Sequence, residues 1–255
     1  MTSINLRTAQ PARPAWLLLA AAESRLIARN RTILLSATLV PIAFGLMLTQ
    51  MDFGHMAGAP AAMASMQLIF LQVFGVYMTV TMTLATRRQQ LYLKRLRTSP
   101  VSTVSIVAGL TVPVALLVLV QSVLIFVITA AATDTTPEQA ALLAVAFVLC
   151  TVMMIGLGFL TAAFTSSPEA AQFTVLPGFL VVLGGMIWVQ LTSPEDLAFW
   201  HLLVPGGAPT ALTRAAWEGP ANWMNEVALA VGAGALVTAA VCLLAARLFR
   251  WQPRA

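Results

Sequence analysis

The side chains best equipped for chemistry lie in one run, Arg87-Arg88-Gln89-Gln90-Leu91-Tyr92-Leu93-Lys94-Arg95-Leu96-Arg97-Thr98-Ser99-Pro100. Its guanidinium and ammonium groups stay protonated at neutral pH, so their chemistry is the binding of anions and carboxylates rather than proton transfer or nucleophilic attack. Tyr92 and Leu96 lie one helical turn apart, as do Leu93 and Leu96, which sets a narrow apolar ridge among Arg88, Lys94, Arg95 and Arg97. A short basic helix with such a ridge fits a groove on another protein. The same residues also suit a solvated loop that touches anionic lipid. Pro100 disfavours helix at Ser99, and Ser102 or Thr103 is placed to cap the helix that follows.

A second set of candidates sits in apolar surroundings. Gln67, Gln72, Gln121, Gln172 and Gln190 are the strongest polar groups in or bordering the apolar stretches. Phe70, Phe74 and Met78 lie near Gln67 and Gln72, so Gln67, Phe70, Gln72, Phe74 and Gln121 are candidate lining for a path taken by amphiphilic compounds. The competing role for the glutamines is to bond neighbouring helices or backbone.

What the sequence omits narrows the chemistry further. Its single lysine, Lys94, follows Leu93, whereas a phosphate-cradling loop needs Gly-Lys-Ser/Thr. The chain is therefore expected to bind no nucleotide, cofactor or metal of its own. His55 and His201 are isolated, Cys150 and Cys242 fall inside apolar stretches, and neither a GxSxG elbow nor an HExxH pair is present. No Asp, Glu, Lys, Arg or His falls at the centre of an expected span, which argues against a proton-driven carrier and for energy delivered from elsewhere.

The elements that position these residues are set by composition. The chain is 59% hydrophobic and 9% charged, with a mean hydropathy of +0.87. Soluble domains carry about 25% charged residues, so lipid is the main solvent here. The expected fold is all-α, a polytopic membrane protein with six transmembrane helices in one domain, residues 33–248. The spans are Ile33 to about Met51, Met63 to Thr86, Val101 to Ala132, Ala140 to Phe164, Gln172 to Gln190, and Glu226 to Leu248. Gly156 and Gly158 permit close approach in the fourth span, and Gly184-Gly185, Ala228, Gly232 and Gly234 supply small contact surfaces in the fifth and sixth. The outer segment, about 192–224, holds Trp200, Trp217 and Trp223 and is expected to form short interfacial or re-entrant helices.

Of the 14 Lys and Arg residues, all but Arg214 fall on one side of this arrangement, which places both termini in the cytoplasm. The positive charge does not indicate nucleic acid, because the bases flank apolar spans. Residues 1–32 are expected to form a cytoplasmic N-terminus with an interfacial helix over 15–31, and residues 249–255 a cytoplasmic tail. Cleavage after Ala20-Ala21-Ala22 is rejected, since it would leave Arg25, Arg29 and Arg31 outside just before the first span.

Leu93-Lys94-Arg95-Leu96-Arg97-Thr98-Ser99-Pro100, about 250 residues, six spans and Arg29-Asn30-Arg31 ahead of a Pro41-bearing first span together resemble the ABC-2 type ABC transporter permeases. The likeness extends to LLVPGGAPTALTRAAWEG before the last span and is closest to drug and antibiotic exporters of the daunorubicin-resistance kind. Many relatives carry an acidic residue and a glycine just before the motif, where this chain has Arg87 to Tyr92. The resemblance implies a coupling helix at about 86–100, where Arg88, Tyr92, Leu93, Lys94, Arg95, Leu96, Arg97 and Pro100 dock a separate ATP-binding cassette ATPase that holds ATP and Mg. It further implies a second permease copy, as homodimer or as heterodimer with a related permease, lipophilic cargo, contact with membrane lipid, and residence in the bacterial plasma membrane. A substrate-binding membrane subunit of an importer is the first rival and an intramembrane enzyme the second. The topology has a direct check. A cysteine placed at Thr98 should react with an impermeant maleimide only from the cytoplasmic side, and labelling from outside would invert the assignment.

Overall fold

The computed structural model describes residues 14–29, 31–50, 59–91 and 101–249, and every regular element among them is helical. The chain runs through α1 (Ala15–Arg29), α2 (Arg31–Gln50), α3 (Ala59–Gln89), α4 (Thr103–Thr133), α5 (Ala140–Phe164), α6 (Pro168–Thr174), α7 (Leu176–Leu191), α8 (Phe199–Leu203), α9 (Gly207–Glu218) and α10 (Leu229–Leu248). Five segments among the described residues are long and apolar enough to cross a membrane: α3, α4, α5, Pro168–Leu191 and Glu226–Leu248. The first expected span coincides with α2, a helix of 20 residues.

Boundaries follow local chemistry. Ser102 caps α4, its hydroxyl accepting from the Ser105 N–H at 3.2 Å, and Asp134 closes the same helix in the left-handed region at φ 52°. Pro113 sits inside α4, where surrounding helices replace the solvent that a kinked backbone otherwise needs. Ser167 caps α6 with Pro168 at its first turn, so the fifth span begins as two short helices, α6 and α7, rather than one rod.

α3 is the most buried of the five segments and α7 the least. With 31 residues, α3 is about 45 Å long, more than the roughly 30 Å hydrocarbon layer, so its end carries Arg87 and Arg88 beyond the apolar zone. Its middle, Val73–Met78, is wound as a π-helix. Such a turn takes in one extra residue and rotates the side chains that follow, and these turns are frequent at functional sites.

Small residues set the helix approaches. Gly75 leaves no room for a Cβ against Val118, and Gln67 bonds Thr129, so α3 and α4 run antiparallel with the π turn at their closest contact. Gly158 lies against Val80 and the Tyr77 carbonyl, locking α5 onto α3. Gly156 meets Val241 and Cys242, and Gly234 meets Leu149, so α5 and α10 run side by side in the same direction. α1 lies along α4, with Leu19 and the Trp16 carbonyl against Gly109.

The outer segment goes deeper than a surface helix. α9 is buried over Gly207–Thr213 and Ala215–Trp217 and packs among α3, α5, α7 and α10. Its composition explains this: one face is Gly, Ala and Thr, and Thr210 and Thr213 bond the Gly206 and Pro209 carbonyls one turn back. Gly206 adopts φ 96° directly beneath the Val182 carbonyl, a position where any side chain would meet both strain and backbone. Replacing Gly158 by Leu should drive α5 away from Val80 and destabilise the bundle by about 1–3 kcal/mol, read as a lower melting temperature in detergent. An unchanged melting temperature would show that the α3–α5 contact is not tightly packed.

Candidate functional site

The chemistry-bearing residues gather along α3, and its C-terminal end holds the charged ones. Glu23 of α1 and Arg87 of α3 form an ion pair in which Nη2 donates to both carboxylate oxygens at 2.8 Å each. Glu23 is buried, so its charge is matched where α1 crosses the bundle. The next residue, Arg88, turns inward and is 2% exposed. Its guanidinium donates to the Ala162 carbonyl at 3.0 Å and also to the Thr165 carbonyl. Both carbonyls lie at the C-terminal end of α5, where that of Ala162 also accepts from the Thr165 N–H at 3.3 Å, and a cation is favoured at that end of a helix dipole. Arg88 is therefore a cap for α5 supplied by α3.

α3 then ends at once. Gln90 donates back to the Thr86 carbonyl, Leu91 to the Arg88 carbonyl, and Leu91 takes φ 55°. A left-handed leucine ends the helix and turns the chain out of line. Tyr92, Leu93, Lys94, Arg95, Leu96, Arg97 and Pro100 lie outside the described residues.

The glutamines are engaged inside the bundle. Gln67 donates to the Gly45 carbonyl of α2 at 3.2 Å and accepts from the Thr129 hydroxyl of α4 at 2.9 Å, so one amide ties three helices. Gln72 donates to the Thr151 hydroxyl of α5 at 2.7 Å. Gln190 of α7 reaches Ser65 at 2.7 Å and the Ala62 carbonyl at 3.0 Å. Gln121 is buried in α4, and Gln172 is exposed on α6. The phenylalanines behave differently. Phe44 of α2, Phe70 and Phe74 of α3, and Phe179 of α7 form a half-buried ladder with ring centroids 4.0, 6.0 and 5.9 Å apart. Of the five path candidates, Phe70 and Phe74 are the pair brought together on a partly open face.

Sequence reasoning passed over several contributors. Tyr77, in the π turn, shares a hydrogen bond with the Thr161 hydroxyl at 2.9 Å and donates to the Val175 carbonyl at 3.1 Å, with Gly178 packed on its ring. It joins α3, α5 and the α6–α7 junction near Arg88. Glu23 was legible in principle, being one of two acids on the inner side, but its partner lies 64 positions away. Arg214 of α9 donates to the Val189 carbonyl at 2.9 Å, so it caps α7. Burial pulls its guanidinium below the ordinary arginine range, opposed by the carboxylates of Glu218 and Glu226.

A basic run leaving a polytopic helical bundle, anchored by two arginines at one end of its central span, is the arrangement a power-borrowing transporter subunit requires. The family model of the ABC-2 family transporter protein matches residues 17–248. The chain belongs to that family. No curated protein and no solved structure matches it. As an ABC-2 membrane subunit it is a multi-pass transporter permease, and membership implies an ATP-binding cassette ATPase as partner. In this permease Arg88→Ala should remove the guanidinium donor from the Thr165 carbonyl and the second donor from the Ala162 carbonyl, and cost about 1–3 kcal/mol. Arg88→Lys should recover only part of that, because an ammonium lacks the planar fork. Thermal unfolding in detergent reads both, and equal stability of all three forms would remove the cap.

Proposed function

We propose that the permease is the membrane half of an exporter of lipophilic compounds, drugs or antibiotics among them and lipids as a further class, in the bacterial plasma membrane. Six spans, counting α2, carry both termini on the cytoplasmic side, with α1 along the inner surface and residues 33–248 as one transmembrane domain. Two copies, or one copy with a related permease, enclose the path. The segment at about 86–100 is the coupling helix, on which Tyr92, Leu93, Lys94, Arg95, Leu96, Arg97 and Pro100 meet the ATPase that binds ATP and Mg. Arg88 belongs to the inner end of that device, as the cap that joins it to α5.

The observation that carries this reading is the pair of ties made by consecutive residues of α3, Arg87 to Glu23 and Arg88 to Ala162 and Thr165. A push on the basic segment reaches α1 through the first and α5 through the second. Neither tie lets α3 move alone. The ladder of Phe44, Phe70, Phe74 and Phe179 supplies an apolar, polarisable face, adaptable to varied hydrophobic cargo. Gln67, Gln72 and Gln121 hold the wall behind that face.

Arg95→Ala, Leu96→Ala and Arg97→Ala together should abolish co-purification with the ATPase while the permease still inserts and melts normally. Retained binding would sink the coupling assignment. In the same preparation Phe74→Ala should leave ATPase docking intact and reduce export of some compounds more than others. A uniform loss would make the ladder structural.

A further inference from the structure

α3 meets its surroundings at a regular interval. From Ala61 to Met78 every residue is buried except Ala62, Met66, Phe70, Phe74 and Met78. The half-buried line goes on through Met82 to Thr86, flanked by Thr79 and Thr83. A spacing of four is not that of an α-helix. Each step of four turns about 40° past a full circle, so Met66, Phe70, Phe74, Met78 and Met82 would fan over about 160° of a regular helix.

The π turn removes that spread. Val73–Met78 takes in one residue more than an α-turn, which sets everything after it back by about 100°. With Met66 at zero, Phe70 and Phe74 fall near 40° and 80°, and Met78 and Met82 return to about 20° and 60°. Five side chains spaced along the helix thereby share one sector of about 80°. Burial agrees on both sides of the turn. Tyr77 and Thr81, the residues a regular winding would bring to that sector after Phe74, are both 0% exposed.

The line differs from the lipid-facing surface in depth and in composition. α4 presents Leu116, Val120, Val123 and Val127 at 54–67% exposure. The five on α3 are set back to half-burial, with Phe44 of α2 and Phe179 of α7 against Phe70 and Phe74, and none is a leucine, isoleucine or valine. Unbranched thioethers rearrange around an occupant and attract aromatic rings, which stiff branched chains do not. We propose that the cargo path runs the length of this line, with Met66, Met78 and Met82 as further lining residues that set its selectivity. The π turn is the device that aligns them with the phenylalanines. This rests on the phenylalanine ladder as the path for cargo.

The test uses the full chain in nanodiscs and benzophenone, an uncharged aromatic photoprobe that inserts into C–H bonds and favours methionine. Adducts at Met66, Phe70, Phe74, Met78 and Met82 should saturate together, with half-saturation values within about twofold of one another. Met224, 69% exposed ahead of α10, and Val120 on α4 are the controls, where labelling should rise linearly with probe. Met78→Leu with Met82→Leu keeps the apolar bulk and should raise half-saturation at Phe74 about threefold. An unchanged value would remove the two methionines from the path. Saturable labelling at Phe70 and Phe74 alone would overturn the longer path and leave the ladder standing. Linear labelling at all five, or no labelling because a second copy covers them, would overturn both. Adducts at Tyr77 and Thr81 in place of Met78 and Met82 would overturn the alignment by the π turn.

Discussion

The bilayer withholds water from α3, and most of the fold answers to that constraint. A helix that carries Gln67, Gln72, Tyr77, Thr81 and Arg88 through a bundle has no solvent to satisfy them, so each must find a partner on another helix. Gln67 takes α2 and α4, Gln72 takes α5, Tyr77 takes α5 and the α6–α7 junction, and Arg88 takes the end of α5. Apolar packing cannot choose among helices in lipid, because lipid tails are as apolar as leucine. Polar ties can. The arrangement around α3 is therefore specified by a handful of directional bonds, and glycines at 75, 156, 158 and 234 let the backbones come near enough for them to form.

The same economy governs the charges. Arg87 and Arg88 are neighbours in sequence but leave a helix about 100° apart, so one reaches outward to Glu23 of α1 and the other inward to α5. Adjacent bases thereby serve opposite sides of one span. A plain orienting cluster would leave both in solvent. Arg214 repeats the logic on α9, where it closes α7.

The sequence made the spans legible because their signal is composition, which needs no partner: the bounds of α4 and α5 and the cap at Ser102 fall within two residues of expectation. Long-range partners were not legible. Nothing local distinguishes Arg88, buried as a helix cap, from the bases that follow it, since the distinction lies in a carbonyl 74 positions away. The π turn at Val73–Met78 was equally hidden, as a single Gly75 within VFGVYM does not announce a change of winding. The depth of α9 was half visible. Its tryptophans marked an interface, while its Gly, Ala and Thr face, which decides burial, reads in sequence as an unremarkable loop composition.

The π turn ties these strands together. It lies midway between Gln67, whose bonds reach α2 and α4, and Arg88, whose bonds reach α5. A uniform α-helix of this length would fix the angular relation between those two sets. The extra residue of a π turn shifts that relation by about one residue's rotation, so the upper bonds and the lower cap can both be made at once. It also holds Gly75, where a Cβ would clash with Val118. Any tilt imposed at the Arg87–Arg88 end must pass through this turn before it reaches Phe70 and Phe74. Among the described parts of α3, the π turn is thus the irregular stretch that separates the Arg87 and Arg88 ties from the phenylalanine face.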